Sequence, residues 1–289
     1  MKILVPLPRR DSDPTEVAVS WKILRDAGHE LVFATPDGSV AVCDPMMISG
    51  EGLDFWGFIP GLNKLPLIGL ALRAHKPARD AYRLLQGDAN FNRPLTYDDL
   101  RMTDFDALLL PGGHAKGMKE YLESKVLQSV VADFFDAKKP VAAVCHGVVL
   151  AARSHSKAHR QHHSVLRGYK TTALTWTLEK SGWNLTRYFA RFWDPHYYRT
   201  YLEMKGEAVG HRGVQQEVTR VLERPEDFLD VPADAPHHLA KASGLKRDTQ
   251  TDATPAWVVR DRHYVSARWP GDVHTFAKTF AAVLKEYQQ

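Results

Sequence analysis

Two cysteines, Cys43 and Cys145, are all that this chain of 289 residues contains. So few exclude a disulfide framework and a cysteine-rich zinc fold, and they make a reducing cytoplasm the expected location. Long apolar runs are scarce as well. The opening MKILVPLPRR is apolar over too few residues for a signal-peptide core and reads as a first strand. Residues 55–72, FWGFIPGLNKLPLIGLAL, are interrupted by Pro60, Asn63, Lys64 and Pro66. They fall short of the ~20 residues that a bilayer span requires, so no membrane partner is expected. An excess of one charge is also missing. The formal net charge is +4 with acids interspersed throughout, a balance that calls for no nucleic-acid partner.

What the chain does have is enough apolar residue, 44% against 25% charged, to bury a large core. The order of its segments is informative. Strand-like Lys2–Pro6 leads to a helical pattern over residues 14–27, with Val17, Trp21, Leu24 and Ala27 on one face and Gly28 as its stop. Strand Glu30–Thr35 follows, and Pro36-Asp37-Gly38 then turns into a short hairpin expected around residues 40–43. An apolar strand ends at Leu110, a helix spans residues 125–137, and residues 171–175 read as a further strand. Residues 257–260 and 264–267 form a late hairpin, and residues 273–287 a final amphipathic helix. Alternation of this kind gives an α/β fold, a flavodoxin-like doubly wound parallel sheet with helices on both faces. One domain over residues 1–289 is expected, with insertions near residues 50–77 and 155–215.

Two segments carry chemistry. In VAAVCHGVVLAAR, residues 141–153, an apolar strand turns abruptly into a helix at Cys145. At such an elbow the side chain stands clear of the sheet, and the helix dipole and first-turn N–H groups favour thiolate over thiol. Gly147 allows close backbone packing there. In DALLLPGG, residues 106–113, a second strand ends in Pro111, Gly112, Gly113 and His114. Parallel neighbours end on the same sheet edge, so this loop places backbone N–H groups beside the cysteine as an oxyanion hole.

PGGH followed about one helix and one strand later by CHG resembles the PfpI/ThiJ superfamily, the single-domain relatives of class I glutamine amidotransferases. The likeness extends through KILVPLP from Lys2, residues 13–38, LLLPGGHAKGM from Leu108 and GYKTTALTWTLE from Gly168. It implies a cysteine-dependent, cofactor-free enzyme of the glyoxalase or deglycase type, acting on a small aldehyde or a glycated substrate, and a homodimer. Amide or peptide hydrolysis by the same cysteine is the alternative, and a holdase or redox sensor is another. The resemblance also implies the roles: Cys145 as nucleophile, His146 as neighbouring base and Glu16 as the acid that bonds the sulfur. Gly112, Gly113, His114 and Gly147 would form the oxyanion and substrate pocket. No downstream acid matches the triad position cleanly; Glu179 is the first choice and Asp194 the reserve. Ala143 and Ala115 stand where the family usually has glycine.

The insertions are read more blandly. Residues 55–72 serve as a core or subunit contact, or as a lid over the cysteine. His155, His159, His162 and His163 lack a cysteine or carboxylate among them, and the interleaved Arg153, Lys157 and Arg160 make this a solvated basic segment rather than a metal site. Tyr188, Phe189, Phe192, Trp193, Tyr197 and Tyr198 are expected to pack rather than to line the pocket.

Overall fold

Strands β1 (Lys2–Pro6), β4 (Ala107–Leu110), β5 (Val141–Val144) and β7 (Tyr264–Ala267) consist almost wholly of buried residues, as strands covered on both faces must. With β2 (Glu30–Thr35), β3 (Leu95–Thr96) and β6 (Val258–Asp261) they build one seven-stranded sheet in the order β3-β2-β1-β4-β5-β7-β6. Every neighbouring pair is parallel except the hairpin β6–β7, whose register runs from Val258↔Ala267 to Asp261↔Tyr264. The computed structural model describes residues 1–158 and 163–289.

Sheet order reverses between β1 and β4. From β1 the chain winds outward through β2 and β3, then returns to the other side of β1 to lay down β4, β5 and β7. A crevice opens at such a switch point beyond the carboxyl ends of the strands, and ligands of open α/β sheets bind there. Helices flank the sheet in two groups. Pro14–Asp26 packs with Lys76–Leu85 and Val273–Tyr287, while Gly147–Arg153 packs with both Lys125–Asp136 and Val214–Thr219.

Local chemistry explains the first helix, on which the site depends. Asp13 caps it by accepting the N–H groups of Thr15 at 2.7 Å and Glu16 at 3.0 Å, and Pro14 fits the first turn, where no N–H is required. Val17, Ala18, Trp21 and Leu24 form its buried face. Gly28, at φ +86°, ends it in a left-handed turn.

Two expected elements are absent. No hairpin forms at residues 40–43, because the chain after the Gly38 turn runs beside the segment that follows β1: Val42 donates to the Arg9 carbonyl and accepts from Asp11. Residues 171–175 do not join the sheet either. The far edge of β7 is already taken by β6, so Thr171 makes a single bridge to Phe228 and Thr172 N–H donates to the Ser266 hydroxyl at 3.0 Å. β3, only two residues long, lacks the apolar run that would mark it in the sequence.

Candidate active site

Three chain segments leaving β1, β4 and β5 meet at the switch point. β5 ends in Cys145, whose φ of +56° lies in the left-handed region that a side-chain-bearing residue occupies only under constraint. The constraint is visible on both sides. Cys145 N–H extends the sheet ladder to the Ala267 carbonyl at 3.1 Å, and its carbonyl accepts from Val148 as the helix begins. Gly147 completes the elbow, since a Cβ there would lie 2.0 Å from the Leu110 carbonyl oxygen. Its role is thus close packing of helix against strand rather than contact with a ligand.

The tautomer of His146 is set by its neighbours. His146 is buried, its Nδ1 lies 3.4 Å from the Cys145 sulfur and its Nε2 lies 3.1 Å from the Thr200 hydroxyl. Thr200 has one proton and gives it to the His114 carbonyl at 2.7 Å. Its oxygen therefore accepts from His146, which places the imidazole proton on Nε2 and leaves Nδ1 as a lone-pair acceptor facing the thiol. Burial, helped by the charges of Arg153 and Arg199, lowers the His146 pKa to about 3, so the ring rests neutral.

Burial governs the acids too. Glu16 is wholly inaccessible, and its carboxyl is pushed well above its ordinary range by desolvation and then by the neighbouring Asp13. Its Oε2 accepts the Gly112 N–H at 2.6 Å, while Oε1 has no nitrogen or oxygen partner and the carboxyl neighbours the Cys145 thiol. Burial thus favours the protonated form of this carboxyl beside the sulfur. Desolvation also pushes the Cys145 thiol well up, against the opposing His146 backbone N–H. Burial thus favours the thiol over the thiolate expected from the elbow, and the helix that follows, whose dipole opposes this, spans only Gly147–Arg153. Cys43 is also buried, near the Ser12 hydroxyl at 3.3 Å, and desolvation pushes its pKa up to about 12.

A cavity of about 320 Å³ opens over the sulfur. Gly113 and His114 line it together with Asp13, Glu16, Cys145 and Tyr198. His114 is neutral, its pKa lowered to about 4 by burial, and its ring stacks on Tyr198 at 4.1 Å. Tyr198 thus belongs to the pocket, unlike the exposed Tyr188 and Phe189; Phe192 and Trp193 pack against Phe58. From the 55–72 insertion, Ala71 and Leu72 reach the cavity wall, and Asp54 closes that insertion by accepting from Leu67, Ile68 and Gly69.

Several expected site residues stand elsewhere. Glu179 does not hold His146: its Oε1 pairs with Arg199 at 3.0 Å and its Oε2 accepts from Val214 N–H at 3.0 Å. Arg199 is itself wholly buried between the Trp176 and Trp183 rings, so this ion pair fixes the backbone that carries Thr200. Asp194 bonds Arg191 at 3.1 Å and is no substitute. Gly112 gives its N–H to Glu16 and so has none for an oxyanion. In the histidine-rich segment, His155 pairs with Ser164 in an isolated bridge, while His159 and His162 fall outside the described residues. Thr200 and the cavity residue Arg247 carried no sequence signal: each is a common residue type in a segment without a motif.

A family model described as ThiJ/PfpI family-like matches residues 7–210. Among curated proteins, an uncharacterised protein of Schizosaccharomyces pombe is 26% identical over 53% of this chain and 55% of its own length. Protein/nucleic acid deglycase 2 of Escherichia coli is 34% identical over 31% of this chain and 45% of its own length. The chain thus spans about half the length of these relatives. The crystal structure of glyoxalase III from Candida albicans superposes with a TM-score of 0.56 at 16% identity, covering 98% of this chain and 97% of that one, a likeness of fold.

Two outcomes follow from the geometry. Thr200→Val leaves both the Nε2 proton and the His114 carbonyl unpaired, which costs about 1–3 kcal/mol of stability. It also frees His146 to adopt the other tautomer, so Cys145 alkylation should slow by roughly tenfold or more, whereas Thr200→Ser restores it. Thiol mass mapping after timed alkylation reads this, and equal rates in Val and Ser variants would contradict it. Glu16 supplies a pH test. Its folded carboxyl keeps its proton to higher pH than the unfolded one, so the stability it lends is full below pH 4.5 and is lost as pH climbs toward the folded value. The melting temperature of wild type minus that of Glu16→Gln should fall steadily over that climb, by about 1.4 kcal/mol per unit in free energy. A pH-independent difference would mean that Glu16 is ionised in the folded protein.

Proposed function

The chain belongs to the ThiJ/PfpI-like family, and from that premise we propose that it is a cysteine-dependent enzyme converting small 2-oxoaldehydes to 2-hydroxy acids, with no cofactor. One observation carries this reading. The buried Cys145 thiol at the cavity has the neutral His146 Nδ1 at 3.4 Å and, as a second neighbour, the Glu16 carboxyl, which burial biases toward its protonated form. An isomerisation by internal proton transfer requires these three groups and no further acid.

Cys145 Sγ bonds to the aldehyde carbon as its proton passes to His146 Nδ1, and the imidazolium returns that proton to the new alkoxide, giving a neutral hemithioacetal. The backbone N–H groups of Gly113 and His146 stabilise the alkoxide as it forms. Glu16 next gives its proton to the adjacent ketone oxygen and, as carboxylate, takes the hydrogen from the former aldehyde carbon. The same carboxyl protonates the second carbon of the resulting enediol and accepts the proton of the remaining hydroxyl, leaving a thioester. Water, deprotonated by His146, cleaves the thioester to the 2-hydroxy acid and the thiol recovers its proton. The sum is one 2-oxoaldehyde plus one water.

Amide hydrolysis receives less support. It needs His146 as an imidazolium acid for the leaving amine, and the partner on Nε2 is a hydroxyl rather than a carboxylate. Methylglyoxal turnover to lactate is the direct assay. Wild type should form lactate, Cys145→Ser none, and Glu16→Gln roughly a hundredfold less than wild type, the loss typical of a general acid/base. Wild-type protein that cleaves short amides but no 2-oxoaldehyde would overturn the proposal.

A further inference from the structure

Arg247 lines the cavity that holds Cys145, half-buried, with its guanidinium 5.1 Å from the centroid of the Trp269 ring. It makes no hydrogen bond and no ion pair among the described residues. The buried arginines are spent differently. Arg199 pairs with Glu179 and Glu203, and Arg268 with Asp272 at 2.8 Å. Arg247 thus presents donors in a planar fork, suited to a carboxylate or phosphate, with no protein anion on them.

Its position is fixed rather than incidental. Asp248, the next residue, donates its N–H to the Gly271 carbonyl at 2.7 Å and accepts from His274 and Thr275 N–H at 3.2 and 2.6 Å, at the start of the final helix. Upstream, Gly244 turns at φ +70° against Leu178. Between these anchors the guanidinium lies over the Trp269 ring, a favourable cation–π placement. Much of the remaining wall is apolar, with Met47, Leu174, Leu178 and Leu185. The acids that share the cavity, Asp13 and Glu16, are both pushed toward their neutral forms by burial, and Asp13 has its Oδ1 committed to Thr15 and Glu16 N–H. The charge of Arg247 is felt at Asp13, Tyr198 and His75, which border the same space.

Resting on the 2-oxoaldehyde reading above, we propose that the natural substrate carries an oxyanion, carboxylate or phosphate, at the end remote from the aldehyde, and that Arg247 is the residue that selects it. The carbonyl end then lies over Cys145, and the anionic end replaces the water that solvates the guanidinium.

Two aldehydes with the same reacting end test this: 4,5-dioxopentanoate, with a terminal carboxylate, and 2-oxopentanal, without one. Wild type should favour the anion in kcat/KM by about tenfold to a hundredfold, the worth of a charge-assisted hydrogen bond. Arg247→Met should collapse that ratio and Arg247→Lys should keep part of it. A wild-type ratio near one, or a ratio unchanged in Arg247→Met, overturns the inference while leaving the proposed reaction standing. If neither aldehyde is turned over, the proposed reaction fails, and binding of unreactive 4-oxopentanoate, followed by calorimetry, decides the inference separately. Binding that is lost in Arg247→Met upholds it; equal binding in both proteins, or none to wild type, overturns it. Displacement of bound 4-oxopentanoate by inorganic phosphate, dependent on Arg247, upholds it with phosphate as the better oxyanion.

Discussion

Thr200 owns a single hydroxyl proton, and the His114 carbonyl takes it. From this one hydrogen bond the protonation pattern of the site unfolds. The Thr200 oxygen is left as acceptor, His146 must present Nε2–H to it, and Nδ1 must face Cys145 as a lone pair. A carboxylate in the place of Thr200 would favour the imidazolium instead and pull the site toward a thiolate–imidazolium pair. Here the hydroxyl fixes orientation without supplying charge. The buried Glu179–Arg199 ion pair stands one step behind, anchoring the residue before Thr200 between two indole rings. Breaking such a pair costs about 3–5 kcal/mol, so the fold is strongly committed to this placement.

Neutrality at rest is the common theme of the pocket. Cys145, His146 and Glu16 are all removed from water at the sheet edge, and removal from water disfavours each charged form. In the proposed reaction charge develops only as the carbonyl receives the sulfur, which is where backbone N–H groups would stabilise it. Proton transfers between neutral partners over short distances suit an isomerisation. They suit the expulsion of an amine less well.

Much of this was legible in the sequence, for identifiable reasons. The strands that form the core are near-continuous apolar runs, and the Cys145 elbow and Pro111–His114 loop interrupt them abruptly, so the parallel α/β class and the two strand-end motifs could be read directly. Glu16 was legible through the family resemblance, since its position alone fits a helix start equally well. The partner of His146 was not. Thr200 comes from an insertion 54 residues downstream, where no periodic pattern ties it to the sheet, and hydroxyl residues are too common to draw notice. Glu179 drew attention as the acid downstream of residues 171–175 nearest the triad position, yet an arginine of the same insertion claims it. The elbow argument counts the dipole and N–H groups, which are local, whereas desolvation, which pushes the Cys145 thiol the other way, depends on what the distant insertions cover.

Nitrogen-15 NMR of the His146 ring tests the central claim most directly, by following both ring nitrogens across about pH 5 to 8, where an ordinary histidine gains its charge. The account predicts a single neutral tautomer throughout, Nε2 carrying the proton and Nδ1 bare, with the pattern lost in Thr200→Val. An imidazolium with both nitrogens protonated at neutral pH would contradict it, since Nδ1 would then have no lone pair to receive the proton of Cys145.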